Sequence, residues 1–412
     1  MEARLLLDRH GRRRTTGQQA GVMSNEDLPD AAGTLRCVVA DGEAAGVSEL
    51  QSAIALGLVP GVGPRLLTEL TAVFGSCAAV LQQSTEQLRQ VAGVGARTAS
   101  GLQDPDLLVR ARQILSECGT AGIRVLLSGT AEYPRRLLEI CDYPRVLFQR
   151  GVLLPQDELS IAIVGSRRCT PYGLRQAERL GAALARAGLT VVSGLARGID
   201  GAAQRAALRA GGRTVAVLPA GVQNIYPPEH ADLAAEIVQQ GPLLSEMSHH
   251  QQLLPGLFPQ RNRIISGLCL GVVVIEASRR SGALYTARHA IEQGRDVFAL
   301  PGPVDSLASA GCLELLRDGV QLVRHADDVL EALGPLPQPA QRSRSETVHQ
   351  PRELSLNALE KDVLNRIGQQ PCAVDQVLRG REQQAPQILA TLTVLEVRRL
   401  IRRLPGNQVV RY

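Results

Sequence analysis

The sequence has no tryptophan and only ten aromatic residues, four Phe and six Tyr, among 412. Eight of the ten lie between residues 133 and 298. A surface that stacks many nucleic-acid bases needs a series of aromatic side chains, and this chain lacks the material for one. The scarcity therefore argues against a barrel of the oligonucleotide-binding type.

Lysine is almost absent as well. Of the 45 basic residues only Lys361 is a lysine, which leaves 44 arginines, and the net charge is a modest +5. Any anion site must therefore use guanidinium groups, which are planar and bidentate, or backbone N–H groups. The small net charge does not by itself identify a nucleic-acid-binding protein.

Long apolar runs and membrane-targeting patterns are also missing. No run approaches the roughly 20 residues that a membrane-spanning helix needs. The first 20 residues are rich in arginine, but no secretory signal pattern follows them. We expect a cytoplasmic protein that has no membrane partner.

Paired cysteines are missing too. The eight cysteines include no pair closer than 23 residues, which excludes a CxxC zinc or redox motif. Buried small side chains in a reducing compartment are the expected role of these residues. The sequence predicts neither a metal site nor a cofactor.

The length suggests two to four domains. Residues 1–48 lack apolar periodicity and are predicted to be a flexible extension, with Met23 as a second candidate start. Residues 49–120 have helical periodicity and carry two Gly-Val-Gly turns, at Gly61 and Gly93. Such turns between short helices predict a helix-hairpin-helix domain. Because no cluster of basic residues flanks them, we expect the hairpins to pack helices more than to bind DNA.

The rest of the chain divides into four segments. Residues 121–156 are predicted to be a connector with strand-like pieces at 124–127 and 145–148. In residues 157–333 short apolar runs alternate with helices. That alternation predicts right-handed crossovers and a mostly parallel sheet, an α/β domain of the Rossmann type. Residues 334–352 have a linker composition, and 353–412 predict three helices and a terminal strand, the pattern of a winged helix. Its last helix and the approach to the wing carry four arginines, which either contact phosphates or form a solvated face: Arg398, Arg399, Arg402 and Arg403.

Ligands of an open parallel sheet bind beyond the carboxyl ends of its strands. The loop after the first strand lacks the GxGxxG of dinucleotide sites. Its glycine and serine N–H groups, beside two arginines, suit one phosphate. The candidate residues of this loop are Gly165, Ser166, Arg167 and Arg168.

The loop after the second strand is also rich in glycine and opens a helix. Asp200 is expected to cap that helix. The two loops are either an anion site, which we favour, or ordinary turns between strand and helix. The candidate residues of the second loop are Ser193, Gly194, Ala196 and Gly198.

Two further segments place polar groups near the carboxyl ends of the strands. An alternating Arg-Asn-Arg places the guanidiniums of Arg261 and Arg263 near the sheet, with Asn262 between them and Phe258 able to stack on a base. Alternatively, one of the two arginines forms an internal ion pair with Glu246 or Glu276. The fourth loop presents hydroxyls and backbone donors at a helix start: Ser281, Gly282 and Thr286.

Groups for catalysis are scarce. No Ser-His-Asp or Cys-His grouping is indicated, and Asp200, Glu246 and Glu276 are the carboxylates near the candidate site. They are few, and we expect structural roles for them, so they do not indicate a general acid–base pair or a magnesium centre. We therefore predict no catalytic residue, and a pocket that holds phosphates without breaking them.

Taken in order, the motifs of the α/β segment resemble those of the DNA-processing protein A family, also called DprA or Smf. The matching motifs are GSR at 165–167, TPYG at 170–173, SGLARGID at 193–200, GVQNIYP at 221–227, FPQRNRIISGL at 258–268, SGALYTA at 281–287 and LPGP at 300–303. The flanking helical and winged-helix segments repeat the layout of the family. The sequence departs from the family pattern at Gln204, Cys269, Leu313 and Val320.

The resemblance implies a non-enzymatic protein of natural transformation. Such a protein binds and protects incoming single-stranded DNA, forms a homodimer through the Rossmann-like domain and helps to load the RecA recombinase. Carried to matching positions, Ser166, Arg167 and Arg168 grip a phosphate beside the Gly194–Gly198 loop. The other wall comprises Phe258, Arg261 and Arg263, while Asn262 and Ser281 position the backbone.

Two alternatives belong to other classes of function. An enzyme of the nucleoside monophosphate phosphoribohydrolase type would need a PGGxGT-like loop with a catalytic glutamate, which neither the segment 218–221 nor the segment 300–303 supplies. A structural adaptor would act through the hairpin and winged-helix domains alone.

Overall fold

The computed structural model describes residues 48–254, 256–334, 340–343, 346–348, 358–368, 372–378, 385–397, 400–404, 406 and 408–411. Residues 1–47 of the predicted extension, including the candidate start Met23, lie outside the described residues.

Residues 48–120 form a helical domain of six short helices. They are α1 Glu49–Gly57, α2 Pro64–Phe74, α3 Cys77–Leu81, α4 Thr85–Arg89, α5 Ala96–Leu102 and α6 Leu107–Thr120. Gly61 turns the chain between α1 and α2 with φ +90°, and Gly93 does so between α4 and α5 with φ +85°. Both values lie in the left-handed region that favours glycine. The predicted pair of helical hairpins is confirmed.

A nine-stranded sheet forms the centre of the chain, in the order β1-β2-β6-β5-β4-β3-β7-β8-β9. Its strands are β1 Arg124–Leu127, β2 Val146–Arg150, β3 Ser160–Gly165, β4 Thr190–Ser193, β5 Thr214–Val217, β6 Leu243–Ser245, β7 Gly271–Ile275, β8 Asp296–Ala299 and β9 Gln321–Leu322. Neighbours from β6 across to β9 pair in parallel, whereas β1 and β2 are antiparallel to their neighbours. The segment 121–156, predicted to be a connector, thus contributes the strands at one edge of the sheet.

Seven helices accompany the sheet within residues 160–334. They are α7 Pro171–Arg186, α8 Ile199–Arg209, α9 Ala231–Gln240, α10 Leu257–Gly267, α11 Ala283–Glu292, α12 Ala310–Arg317 and α13 Ala326–Leu333. Alternate residues of β3 enter different cores: Ile161 and Ile163 pack with α7 and α8, while Ala162 and Val164 pack with α10 and α11. Helices therefore cover both faces of the sheet, as the α/β pattern predicts.

The direction of the chain reverses at β3. From β3 the chain proceeds through β4 and β5 to β6, and it then returns to place β7 on the other side of β3. Such a switch point leaves a crevice beyond the carboxyl ends of the strands, where α/β proteins bind ligands. The fold therefore places the loops after β3, β4 and β7 around one crevice.

The C-terminal segment forms a winged helix, as predicted. Its elements are α14 Ala358–Asn365, β12 Cys372–Ala373, α15 Val374–Leu378, α16 Ala385–Val397, β13 Ile401–Leu404 and β14 Gln408–Arg411. Arg402 and Arg403 lie on β13, after the last helix, and Arg398 and Arg399 fall outside the described residues. In the predicted linker, β10 Ala340–Ser343 and β11 Glu346–Val348 pair antiparallel, so part of this segment is a hairpin.

Candidate nucleic-acid interface

A cleft of about 700 Å³ opens at the carboxyl end of β3. The loops after β3 and β4, the first turns of α10 and the start of α11 line it. Eleven of the fifteen predicted site residues lie on its walls: Gly165, Ser166, Arg167, Arg168, Ala196, Phe258, Arg261, Asn262, Ser281, Gly282 and Thr286. The fold therefore joins segments that are up to 121 residues apart in sequence into one site.

Two exposed arginines follow β3. The guanidinium carbon of Arg167 lies 4.4 Å from the ring centre of Phe258, a cation–π contact. Tyr226 meets the ring of Phe258 edge-on, with 6.0 Å between ring centres. Phe258, predicted to stack on a base, thus also orients Arg167 toward the cleft.

Two backbone donors of the first loop are engaged within the protein. The N–H of Ser166 donates to the carbonyl of Glu276 at 2.7 Å, and the N–H of Arg168 donates to Ser166 Oγ at 3.1 Å. The prediction that the Ser166 N–H binds a phosphate is therefore wrong, because the pairing of β3 with β7 continues past the strand ends. The capacity of this loop for anions comes from the side chains of Arg167 and Arg168.

The second glycine-rich loop holds the chain's own carboxylate. The N–H of Gly194 donates to Asp200 Oδ2 at 3.1 Å, and the N–H of Leu195 donates to Gln204 Oε1 at 3.1 Å. The helix α8 begins after its N-cap residue Gly198, so the prediction that Asp200 caps this helix is wrong. Burial raises the pKa of Asp200, and the nearby Arg261 opposes that rise. Asp200 thus accepts the hydrogen bond of the Gly194 N–H, which the sequence predicts to be part of an anion site.

Arg261 supplies a fixed positive charge at the floor of the cleft. It is 5% exposed, and its Nη1 donates to the carbonyl of Val217. Burial lowers the pKa of Arg261 to about 10, while Asp200 opposes the fall and Arg167 adds to it. The guanidinium therefore remains charged at neutral pH, beside Arg167.

Helix α10 separates the two arginines of the Arg-Asn-Arg motif. Residues three and four apart share a helix face, so Phe258, Arg261 and Asn262 line the cleft together. Arg263 lies on another face, where it is 6% exposed and pairs with Glu246 Oε2. The prediction that Arg263 reaches the same site is wrong, since positions i and i+2 of a helix do not face each other. The alternative of an internal ion pair with Glu246 is confirmed.

The remaining predicted residues support the loops from behind. Ser193 Oγ donates to the carbonyl of Ile163 at 2.6 Å. Gly198 has φ +73°, and a Cβ there would lie 2.3 Å from the carbonyl oxygen of Ser166. A Cβ on Gly194 would lie 2.0 Å from Arg261 Nη1. Only glycine lets the second loop approach both the first loop and Arg261.

A hydrogen bond joins α10 to the start of α11, which forms one wall of the cleft. Asn262 Nδ2 donates to the carbonyl of Gly282 at 3.2 Å, and the N–H of Ala283 donates to Ser281 Oγ at 3.3 Å. Tyr285 and Leu307 also line the cleft and are 52% and 84% exposed. Tyr285 stands within the SGALYTA motif, whereas the loop that carries Leu307 gives no sequence signal. Both side chains add apolar surface at the rim.

Comparison with known proteins identifies the family. The model of DNA recombination-mediator protein A matches residues 124–334, the DprA winged helix domain matches 347–407, and the SAM-like helix-hairpin-helix tandem matches 53–104. The chain belongs to the DNA recombination-mediator protein A family. This finding confirms the resemblance found in the sequence.

Relatives extend the match across most of the chain. Protein Smf of Escherichia coli strain K12 is 41% identical over 282 residues, which cover 67% of this chain and 74% of that protein. Protein Smf of Synechocystis is 32% identical and covers 87% of this chain and 98% of its own. DNA processing protein DprA of Streptococcus pneumoniae is 45% identical over 198 residues, 48% of this chain and 70% of that protein. The X-ray structure of DNA processing protein A from the same species has a TM-score of 0.59 at 33% identity, and it covers 69% of this chain and 98% of that chain.

Departures from the DprA pattern are accommodated locally. Gln204 is fully buried, and besides accepting from Leu195 its amide donates to Thr214 Oγ1 at 3.3 Å and to the Val215 carbonyl at 3.1 Å. Cys269 is fully buried, which raises the pKa of its thiol to about 12. Leu313 lies half-buried on α12. None of these three residues is among those that line the DprA-type cleft.

Among the described residues, no helix combines the length and the apolar character needed to cross a bilayer.

Proposed function

We propose that this protein binds single-stranded DNA without sequence preference, and that it grips the phosphate backbone in the cleft beyond β3. The observation that carries the proposal is the charge of the cleft. The charged side chains among its described lining residues are three arginines, Arg167, Arg168 and Arg261, and one buried carboxylate, Asp200. Arginines at strand ends bind phosphates well because the guanidinium is planar and bidentate.

The rest of the cleft suits a single strand. Contacts to phosphates fix the position of a nucleic acid but carry no sequence information. The half-buried ring of Phe258 and the exposed ring of Tyr285 offer apolar surface to unstacked bases, which a single strand presents and a duplex conceals. One or two rings provide sequence-tolerant contact and too little surface to read a sequence.

The wider role rests on family membership. We place the protein in the cytoplasm, where it would protect incoming single-stranded DNA and load the RecA recombinase during natural transformation. Homodimerisation through the Rossmann-like domain is part of the same proposal. The names of the relatives, DNA processing protein and recombination-mediator protein, support this placement.

The carboxylates near the cleft favour binding over catalysis. Asp200 accepts the Gly194 N–H, Glu246 pairs with Arg263, and Glu276 accepts the Thr170 N–H at 2.7 Å. A general base must be within hydrogen-bond reach of a substrate proton, and each of these groups has an internal partner instead. We therefore propose a binding protein that needs no cofactor.

The proposal is tested by binding assays with fluorescent single- and double-stranded oligonucleotides over a salt series. We expect tight binding of the single strand that weakens as salt rises. The double variant Arg167→Ala with Arg261→Ala should bind at least about 100-fold more weakly, since each lost charge-assisted hydrogen bond is worth about 1.5–3 kcal/mol. Arg186→Ala is the matched control, because Arg186 is exposed on the last turn of α7, which leads to the amino end of β4 and lies away from the cleft.

Removal of the buried Arg261 can perturb the fold, so the single variant Arg167→Ala is measured in parallel, and circular dichroism confirms folding of each protein. Unchanged binding by folded Arg167→Ala and by the double variant would overturn the assignment of the cleft. Release of a base from AMP-like nucleotides by the purified protein would support a phosphoribohydrolase instead.

A further inference from the structure

A second cluster of polar side chains lies outside the cleft, where the helical domain meets the α/β domain. Glu117 is in the last turn of α6, and His249 and His250 follow β6. Nε2 of His249 lies 3.1 Å from Glu117 Oε2, and Nε2 of His250 contacts the same oxygen. The three side chains thus point their ligand-capable atoms at one position, within 4.8 Å of one another.

The spacing suits a metal ion. Ligand bonds of about 2.0–2.2 Å in a tetrahedral site leave the donor atoms roughly 3–4 Å apart. Two imidazoles and one carboxylate form the donor set of open zinc sites, which keep a fourth position for water. Imidazole nitrogen favours zinc and its transition-metal neighbours over magnesium and calcium, which prefer oxygen.

Contacts around the cluster hold two of the ligands in place. Gln113 Nε2 donates to the other carboxylate oxygen of Glu117 at 2.8 Å. His249 is 4% exposed, and its Nδ1 lies 3.4 Å from Cys118 Sγ. Asn224 Nδ2 donates to the backbone carbonyl of His249 at 3.3 Å. In metal sites a contact at the second ring nitrogen of a histidine fixes the orientation of the ring. The contact of His249 Nδ1 with Cys118 Sγ is of this kind.

We propose that Glu117, His249 and His250 bind one divalent transition-metal ion of the zinc type, which clamps the helical domain to the α/β domain. His249 and His250 lie 132 and 133 residues after Glu117, so an ion there would add a bridge between two parts of the chain that also meet through an apolar core and through the contact of Arg145 with Thr71 Oγ1. The three ligands form no short sequence motif, so the sequence, which also lacks paired cysteines, predicts no metal site here.

The test uses untagged full-length protein that has been stripped of metal with a chelator and dialysed. Co²⁺ is titrated first, because it absorbs visible light strongly in four- or five-coordinate sites, and Zn²⁺ then displaces it. We expect one ion per chain and an unfolding temperature that rises on addition of Zn²⁺. His250→Ala removes an exposed ligand with little risk to folding, and Glu117→Gln removes the shared carboxylate while keeping its shape.

Each variant should bind Zn²⁺ at least about 10-fold more weakly, because loss of even an outer contact has an effect of that size. Each should also lose the Zn²⁺-dependent rise in unfolding temperature, whereas His289→Ala, a histidine on α11 outside the cluster, should retain both. Single-strand affinity should stay unchanged in all three variants. Absence of the Co²⁺ spectrum in the wild-type protein, or equal Zn²⁺ binding by His250→Ala and Glu117→Gln, would overturn the proposal and leave a hydrogen-bonded contact between domains.

Discussion

Arg261 and Arg167 carry the same charge at different depths of the cleft. Arg167 is exposed and rests on Phe258, whereas Arg261 is buried and anchored to the carbonyl of Val217. A buried guanidinium loses little conformational entropy when it meets a phosphate, because its geometry is already fixed. Arg261 should therefore set the position of the bound phosphate, and Arg167 should close over it.

The substitution Gly194→Ala tests whether Arg261 sets the position of the bound phosphate. The new Cβ would lie 2.0 Å from Arg261 Nη1, so the guanidinium must move from its place. We expect roughly 10-fold weaker single-strand binding, in line with the loss of one charged hydrogen bond. Gly119→Ala is the matched control, since Gly119 lies on α6 outside the cleft lining and nothing lies within 4 Å of a Cβ there. Equal affinities of the two variants in anisotropy titrations would show that Arg261 does not position the phosphate.

Arg263 has a different role from Arg261. Its side chain is 7% exposed and pairs with Glu246, which is 16% exposed. Removing one partner of a buried ion pair leaves an uncompensated charge and costs about 3–5 kcal/mol. Arg263→Ala should therefore lower the free energy of unfolding in urea by that amount, while the folded fraction binds single-stranded DNA as the wild type does.

Arg279→Ala provides the comparison for that measurement. Arg279 pairs with Glu314 on the surface, where it is 74% exposed, and such pairs contribute about 0–1 kcal/mol. A folded Arg263→Ala variant of normal stability that has lost DNA binding would contradict the structural assignment and return Arg263 to the binding site.

At the scale of elements, the two helical hairpins depend on their glycine turns. Gly93 has φ +85° and Gly95, two residues later, is the N-cap of α5 with φ −81°. An alanine at Gly93 must adopt a left-handed conformation, which costs about 1–2 kcal/mol. An alanine at Gly95 has open space and an ordinary backbone, so it should cost only the weaker capping of alanine, at most about 1 kcal/mol and less than the strain at Gly93. Urea unfolding of the two variants measures the difference, and equal stabilities would show that the turn tolerates a side chain.

The elements that the sequence predicts well are those whose signal is local. The strands β3, β4, β5, β7 and β8 are short apolar runs, and α7 has a clear amphipathic period, so pattern alone places them. The sequence indicates the edge strands β1 and β2 as strand-like pieces of the connector, but it does not predict their place in the sheet, because β2 pairs with β6 about 100 residues away. The sequence does not predict helix α10, because Arg261 and Arg263 are buried polar residues that break the apolar period.

The candidate site is likewise predicted in part from the sequence. The rule that ligands bind beyond the carboxyl ends of parallel strands located most of the cleft, since it depends on topology alone. The partners of individual donors could not be predicted, because Ser166 and Glu276 meet only through the pairing of β3 with β7. The same limit applies to Glu117 and His249, which tertiary packing brings together without any short motif.

For the whole molecule, the distribution of charge matters more than its sum. The net charge of +5 is small, yet the cleft collects three arginines around one carboxylate that is itself engaged with the backbone. Acidic residues elsewhere on the surface weaken this local field little, because salt screens charges beyond about 10 Å at 0.1 M ionic strength. The affinity for DNA should therefore depend on salt through the few phosphates that the cleft contacts.

The salt dependence of binding gives a test at this scale. For single strands the logarithm of the binding constant falls with the logarithm of salt concentration by about 0.7 per phosphate neutralised. Three cleft arginines therefore predict a slope of about −2 for the wild type, and Arg168→Ala should make it shallower by about 0.7. Arg186→Ala, which removes an exposed charge from the last turn of α7 outside the cleft lining, should change neither slope nor affinity. Anisotropy titrations from low to high salt supply the slopes, and an Arg168→Ala slope equal to that of the wild type would mean that Arg168 does not contact the phosphate backbone.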